Sequence, residues 1–111
     1  MTGGLSAQEE RIVQEFATRA REQFPEEVLE VRVFGSKARG DHHVDSDIDI
    51  LVIARSNDWR LHDRIRKVGY ALDESIDYRL SIQVISEQRF EHARNRRFQF
   101  ATSVSEEGIQ V

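Results

Sequence analysis

From Ile12 the apolar residues Val13, Phe16, Ala17, Ala20 and Phe24 recur at helical spacing, and Ser6 followed by Glu9 has the spacing of a capping box. The pattern predicts a first helix over about residues 6–23, stopping near Pro25. In "VLEVRVFG" the period changes to two. Leu29, Val31 and Val33 alternate with Glu30 and Arg32, which predicts a half-buried strand ending at Gly35. A second strand follows in "DIDILVI", with Asp47, Asp49 and Leu51 on one side and Ile48, Ile50 and Val52 on the other.

Beyond it, Asn57 or Asp58 can cap a second long helix whose Leu61, Ile65, Val68, Leu72 and Ile76 form a core-facing stripe. "YRLSIQVIS" predicts a third strand, Tyr78, Leu80, Ile82 and Val84 alternating with Arg79, Ser81, Gln83 and Ile85. Phe90, Ala93, Ala101 and Val104 then predict one or two helical pieces, broken around "RNRRF" and closed by Gly108, with "IQV" trailing out. The sum is an α+β fold, a small mixed sheet with helices packed on one face, in a single domain spanning residues 1–111.

Composition narrows the function. Hydrophobic residues make up 39% and charged residues 32% of the chain, as in a soluble globular protein. No run approaches the roughly 18 to 20 apolar residues of a membrane span, and "MTGGLSAQEE" lacks the basic start and apolar stretch of a signal peptide. The absence of cysteine excludes disulfides and thiolate metal sites and suits the cytoplasm. A net charge of −4 argues against general nucleic-acid affinity, which depends on surplus Lys and Arg.

The chemistry concentrates between Phe34 and Ile53, in "FGSKARGDHHVDSDIDILVI". Aspartates at i and i+2 on a strand point the same way with Cα atoms about 6.5 to 7 Å apart, a spacing at which they can share a hard divalent cation. Gly35 permits a sharp strand exit and close backbone approach, Ser36 offers a hydroxyl, and Lys37 and Arg39 add positive charge. A turn or a solvated edge is the ordinary meaning of each feature alone. Together, two carboxylates inside an otherwise apolar strand are costly unless a cation meets them.

At these residues the chain resembles the nucleotidyltransferase superfamily of the DNA polymerase beta type, most closely its minimal members. Their signature is Gly-Ser, ten residues, then Asp-x-Asp, matched here by Gly35-Ser36, Lys37 through Ser46, and Asp47-Ile48-Asp49. The longer form "GSxARG…SDIDxxV" also fits through Ala38, Arg39, Gly40, Ser46 and Val52. The resemblance covers roughly residues 5–86 in element order. It implies Mg²⁺ or Mn²⁺ held by Asp47 and Asp49 and ATP or another nucleoside triphosphate held at Gly35, Ser36 and Arg39. The implied reaction is transfer of a nucleoside monophosphate to a hydroxyl with release of pyrophosphate, by two-metal phosphoryl chemistry. It also implies a third carboxylate on a neighbouring strand. The third strand departs from this pattern: the position expected for it holds Gln83, whose neutral oxygen cannot act as a base. Asp77 lies about 20 Å along the strand from Gln83, and Glu30 is a substitute whose face the sequence does not fix.

Short members of this family are often antitoxins that adenylylate a helical HEPN-type ribonuclease toxin, so the resemblance implies a protein partner of that kind. A second expectation is a catalytically weak relative that masks a partner, suggested by Gln83. A nucleic-acid module is third, and the acidic charge counts against it. His42 and His43 read as solvent-facing loop residues, "RNRRFQF" as an amphipathic helix edge with its aromatics in the core or on a partner, and Trp59 as a packing anchor.

Overall fold

The computed structural model describes residues 4–35, 38, 40, 47–73 and 80–111. Helix α1 spans Ala7–Gln23, with Ser6 and Glu9 closing the expected capping box: each side chain accepts from the other's backbone N–H, at 3.1 and 2.9 Å. A cap of this type contributes about 1 kcal/mol. Strands β1 (Val28–Phe34) and β2 (Ile48–Ala54) run antiparallel, and helix α2 (Trp59–Asp73) leads to β3 (Leu80–Ser86), parallel to β2. Asp58 caps α2, its Oδ1 accepting the Arg60 N–H at 3.0 Å. Helices α3 (Glu87–Asn95) and α4 (Gln99–Glu107) follow, then a short strand β4 (Ile109–Gln110). The described sheet has the order β3-β2-β1-β4, mixed as expected for this α+β class.

Three expectations change on folding. The helices cover both faces of the sheet, not one. Even-numbered residues of β2, Ile48, Ile50 and Val52, bury against α1 and α2, with Phe16, Ile65 and Val68 in the same cluster. Leu51 and Ile53 on the other face are equally buried and need a second cover, which α3 and α4 supply through Phe90, Ala93, Ala101 and Val104. In β1 a bulge between Val28 and Glu30 shifts the alternation, so Val28 joins Val31 and Val33 in the first core where the sequence pattern placed Leu29. The "IQV" end does not trail out. It pairs with β1 through Val33 and Ile109, Val111 N–H donates to Val31 O at 2.9 Å, and Arg21 Nη2 donates to Val111 O at 2.6 Å. A two-residue strand carries no period of its own, and the free edge of β1 makes it.

The break between α3 and α4 falls where "RNRRF" predicted it, with Arg97 at φ 55, a left-handed turn residue. Ile76, Asp77, Tyr78 and Arg79 lie outside the described residues. No helix among the described residues is long and apolar enough to cross a membrane.

Candidate functional site

The two predicted ligands sit where β2 begins. Asp49 is the second residue of the strand and half-buried; Asp47 immediately precedes the strand and is exposed. Ile48 between them is fully buried against α1 and α2, as are Ile50 and Val52 beyond, so the strand is clamped and Asp49 must face the opposite side.

Register then fixes the neighbours of Asp49. Its Cα partner on β1 is Phe34, the residue before Gly35, and its partner on β3 is Ser81. Gly35 leaves β1 at φ +75, and a Cβ built on it would lie 2.5 Å from Oδ2 of Asp49. A side chain there would collide with the carboxylate, so the turn is cut to fit it. The left-handed backbone calls for glycine, and a Cβ would in addition displace the Asp49 carboxylate. On the same face Phe34 meets Phe100 of α4 edge-to-face at 5.7 Å, which braces the end of β1 from which the turn departs.

Of the predicted site residues, Gly35, Asp47 and Asp49 converge at this end of the sheet. Ser36 and Arg39 lie outside the described residues, as do Lys37, His42 and His43; Ala38 is buried in the first core. Gln83 is exposed but pairs with Leu51, a full side-chain repeat beyond Asp49. The residue alongside Asp49 is Ser81, which sequence reasoning passed over. The strands end in register, Ala54 beside Ser86, and counting back equally from both ends would have found it. Glu30 stands opposite Ile53, about 13 Å along the sheet from Asp49 at ~3.3 Å per residue, with its Oε1 accepting from Arg32 Nη2 at 2.9 Å. That removes it as a substitute ligand.

The family resemblance implies a divalent ion here. The donors present fit one: the half-buried Asp49 carboxylate with a glycine turn pressed against it, and the exposed Asp47 two residues earlier in the chain. Among the described residues no third Asp, Glu or His completes a three-ligand group.

Comparison with known proteins agrees with the fold and the family resemblance. The sequence profile of the family described as "Nucleotidyltransferase domain" matches residues 13–103. A relative from Methanocaldococcus jannaschii, named a "putative protein adenylyltransferase", is 38% identical over 45 residues, which are 40% of this chain and 45% of that protein. The chain therefore matches less than half the length of that relative. A solved structure from Sulfolobus solfataricus, named a "putative nucleotidyltransferase", superposes with a TM-score of 0.57 at 21% identity, covering 90% of this chain and 76% of the other. A chain from a toxin–antitoxin complex with AMP-PNP superposes with a TM-score of 0.54 at 23% identity, over 86% of this chain and 68% of that one. A chain from a mutant of the MntA-HpeT toxin–antitoxin pair gives 0.52 at 18% identity, over 85% and 68%.

Proposed function

The chain belongs to the nucleotidyltransferase domain family, and from that premise we propose that it transfers AMP from ATP to a hydroxyl group of a partner protein, releasing pyrophosphate. The observation that carries this reading is the Gly35 turn built against the Asp49 carboxylate. The Phe34–Asp49 pairing brings the Gly35 turn and the Asp49 carboxylate to one place, where a single ligand can touch both.

In the proposed reaction the acceptor oxygen attacks the α-phosphorus of ATP. The new P–O bond forms as the α–β anhydride bond breaks, pyrophosphate leaves with the electron pair, and the hydroxyl proton passes to water. Asp47 and Asp49 would hold a divalent ion, Mg²⁺ or Mn²⁺, which would supply Lewis-acid stabilisation of the phosphate charge. Gly35 keeps the turn free of side chain so that the triphosphate approaches the backbone, Ser36 donates its hydroxyl, and Arg39 contributes positive charge. The exposure of Asp47 beside the half-buried Asp49 leaves one carboxylate open toward an incoming substrate.

A protein acceptor is supported by the name of the M. jannaschii relative, and a small helical HEPN-type toxin by the fold shared with toxin–antitoxin chains. The test is incubation with radiolabelled ATP, Mg²⁺ or Mn²⁺, and a small helical HEPN-type protein as the candidate acceptor. Metal-dependent labelling of that protein, lost in Asp47→Asn and Asp49→Asn, is the expected result. Neither label nor pyrophosphate release with either metal would overturn it.

One observation favours a second reading. Ser81 and Gln83 are both neutral, so β3 brings no anionic ligand to the carboxylate pair. In that reading the protein masks its partner stoichiometrically. Partner inhibition that survives Asp49→Asn, without any labelling, would select it.

A further inference from the structure

At the far end of β3 from Asp49 the surface changes character. Two adjoining clefts, of about 330 and 550 Å³, meet at Asn57 and Arg89 between the start of α2 and α3. The first is lined by Trp59, His62 and Arg66 of α2 with Val84 and Ile85 of β3; the second by Gln88, His92, Ala93 and Phe98. No carboxylate lines either cleft.

Trp59 and Phe98 do not serve the core as anchors. Trp59 is 69% exposed and Phe98 52%, the two most open large apolar side chains described. The Arg60 guanidinium stacks 5.3 Å from the Trp59 ring centroid, and His92 meets Phe98 edge-on at 6.4 Å. Arg89 forms no ion pair with any described residue, and Arg66 has only a long contact of 3.8 Å to Asp63. Neighbouring carboxylates are engaged elsewhere: Asp58 caps α2, Asp63 pairs with Lys67 at 3.1 Å, and Glu91 pairs with Arg94. His62 is held in place by its Nε2 bond of 2.8 Å to Ser56 O, so the α2 wall of the cleft is fixed.

Among the described residues of a chain of net charge −4, this is a confined surface where Arg89, without an ion pair, and exposed aromatic rings coincide. We propose that this surface docks an acidic, aliphatic segment of a protein partner, whose carboxylates meet Arg66 and Arg89 and whose apolar side chains pack on Trp59 and Phe98. Aromatic and arginine residues are the groups that dominate protein interfaces. A single-stranded nucleic acid fits less well. Its phosphate backbone would extend well past this patch over a chain of net charge −4, and one face of Trp59 is already covered by Arg60. Ile85 pairs with Ile53, which puts this surface about 13 Å along the sheet from Asp49, too far for one side chain to bridge. The surface therefore acts as a separate anchor. That the anchored partner is also the acceptor rests on the function proposed above; the docking itself does not.

Trp59 is the chain's single tryptophan, so its emission reports on this surface alone. The probes are a fluorescein-labelled peptide alternating glutamate with leucine, the same peptide with glutamine for glutamate, and oligouridylate of equal length. The acidic peptide is expected to shift Trp59 emission and to gain anisotropy, the glutamine peptide to do neither. Arg89→Glu should weaken binding roughly tenfold or more by reversing an interface charge, and Phe98→Ala should weaken it too, both with unchanged melting curves because the side chains are exposed. Asp49→Asn should bind the peptide like the parent protein even where label transfer is lost, which separates failure of docking from failure of the enzymatic reading. The proposal is overturned if millimolar peptide leaves Trp59 unmoved, or if Arg89→Glu binds as well as the parent. It is equally overturned if oligouridylate binds more tightly than the peptide, or if the patch instead mediates a self-association that Arg89→Glu abolishes.

Discussion

Phe34 and Asp49 are Cα partners across β1 and β2, so the chain makes its left-handed turn at Gly35 directly beside the carboxylate. This pairing ties the Gly35 turn to the strand that carries Asp49. Two motifs that begin twelve residues apart in sequence become adjacent through one antiparallel ladder. It also makes the turn sensitive to a change of a single methyl group.

Gly35→Ala is therefore expected to cost about 1 to 2 kcal/mol from the left-handed backbone alone, and in addition to push the Asp49 carboxylate from its position. ATP with Mg²⁺ should raise the melting temperature of the parent protein and leave Gly35→Ala nearly unchanged. A full ATP-dependent shift in the variant would mean that the turn and the carboxylate serve different ligands.

Asp47→Asn and Asp49→Asn keep the side-chain volume and remove one anionic ligand each. Metal affinity, measured by calorimetric titration of Mn²⁺ in the presence of ATP, should fall by roughly a hundredfold or more in either variant. Asp47 is exposed and its substitution should leave thermal stability without metal unchanged. Equal Mn²⁺ affinity in the parent and both variants would remove the ion from this site.

The strand register makes a prediction about the third ligand that the sequence pattern would have misdirected. Ser81→Asp places a carboxylate alongside Asp49, whereas Gln83→Asp places one alongside Leu51. The first should lower stability without metal, through repulsion between neighbouring carboxylates, and raise Mn²⁺ affinity about tenfold. The second should change neither by much. Melting curves with and without Mn²⁺ distinguish the two, and a larger metal response from Gln83→Asp would refute the register argument.

Gly69 offers a test of the core. In an isolated helix Gly→Ala gains about 1 kcal/mol, but a Cβ on Gly69 would overlap Cδ1 of Ile82 and come within 3.2 Å of the Phe16 ring. Ile82 is buried and Phe16 fully so, which leaves the methyl no free volume to enter. Gly69→Ala should instead destabilise by about 1 to 3 kcal/mol in urea titration. A stabilised variant would mean that α2 can lift from the sheet.

The sequence by itself determined the main elements and the family. Ser6 and Glu9 announce α1 because a capping box is a local contact, the strands declare themselves by a period of two, and the Gly35 turn and Asp47-Ile48-Asp49 carry their meaning in spacing along one stretch of chain. Tertiary structure alone decided which residue stands beside which. Leu51 and Ile53 demanded a second helical layer, but only packing assigned it to α3 and α4. Ile109 and Gln110 became a strand because β1 had a free edge. Trp59, expected to anchor the core, was left on the surface because Ile65, Val68 and Leu72 already fill the buried side of α2. Ser81 rather than Gln83 came to lie beside Asp49 for the same reason: alternation sets the face a side chain takes, while its partner across the ladder depends on how far one strand has slid along another, and no local pattern encodes that displacement.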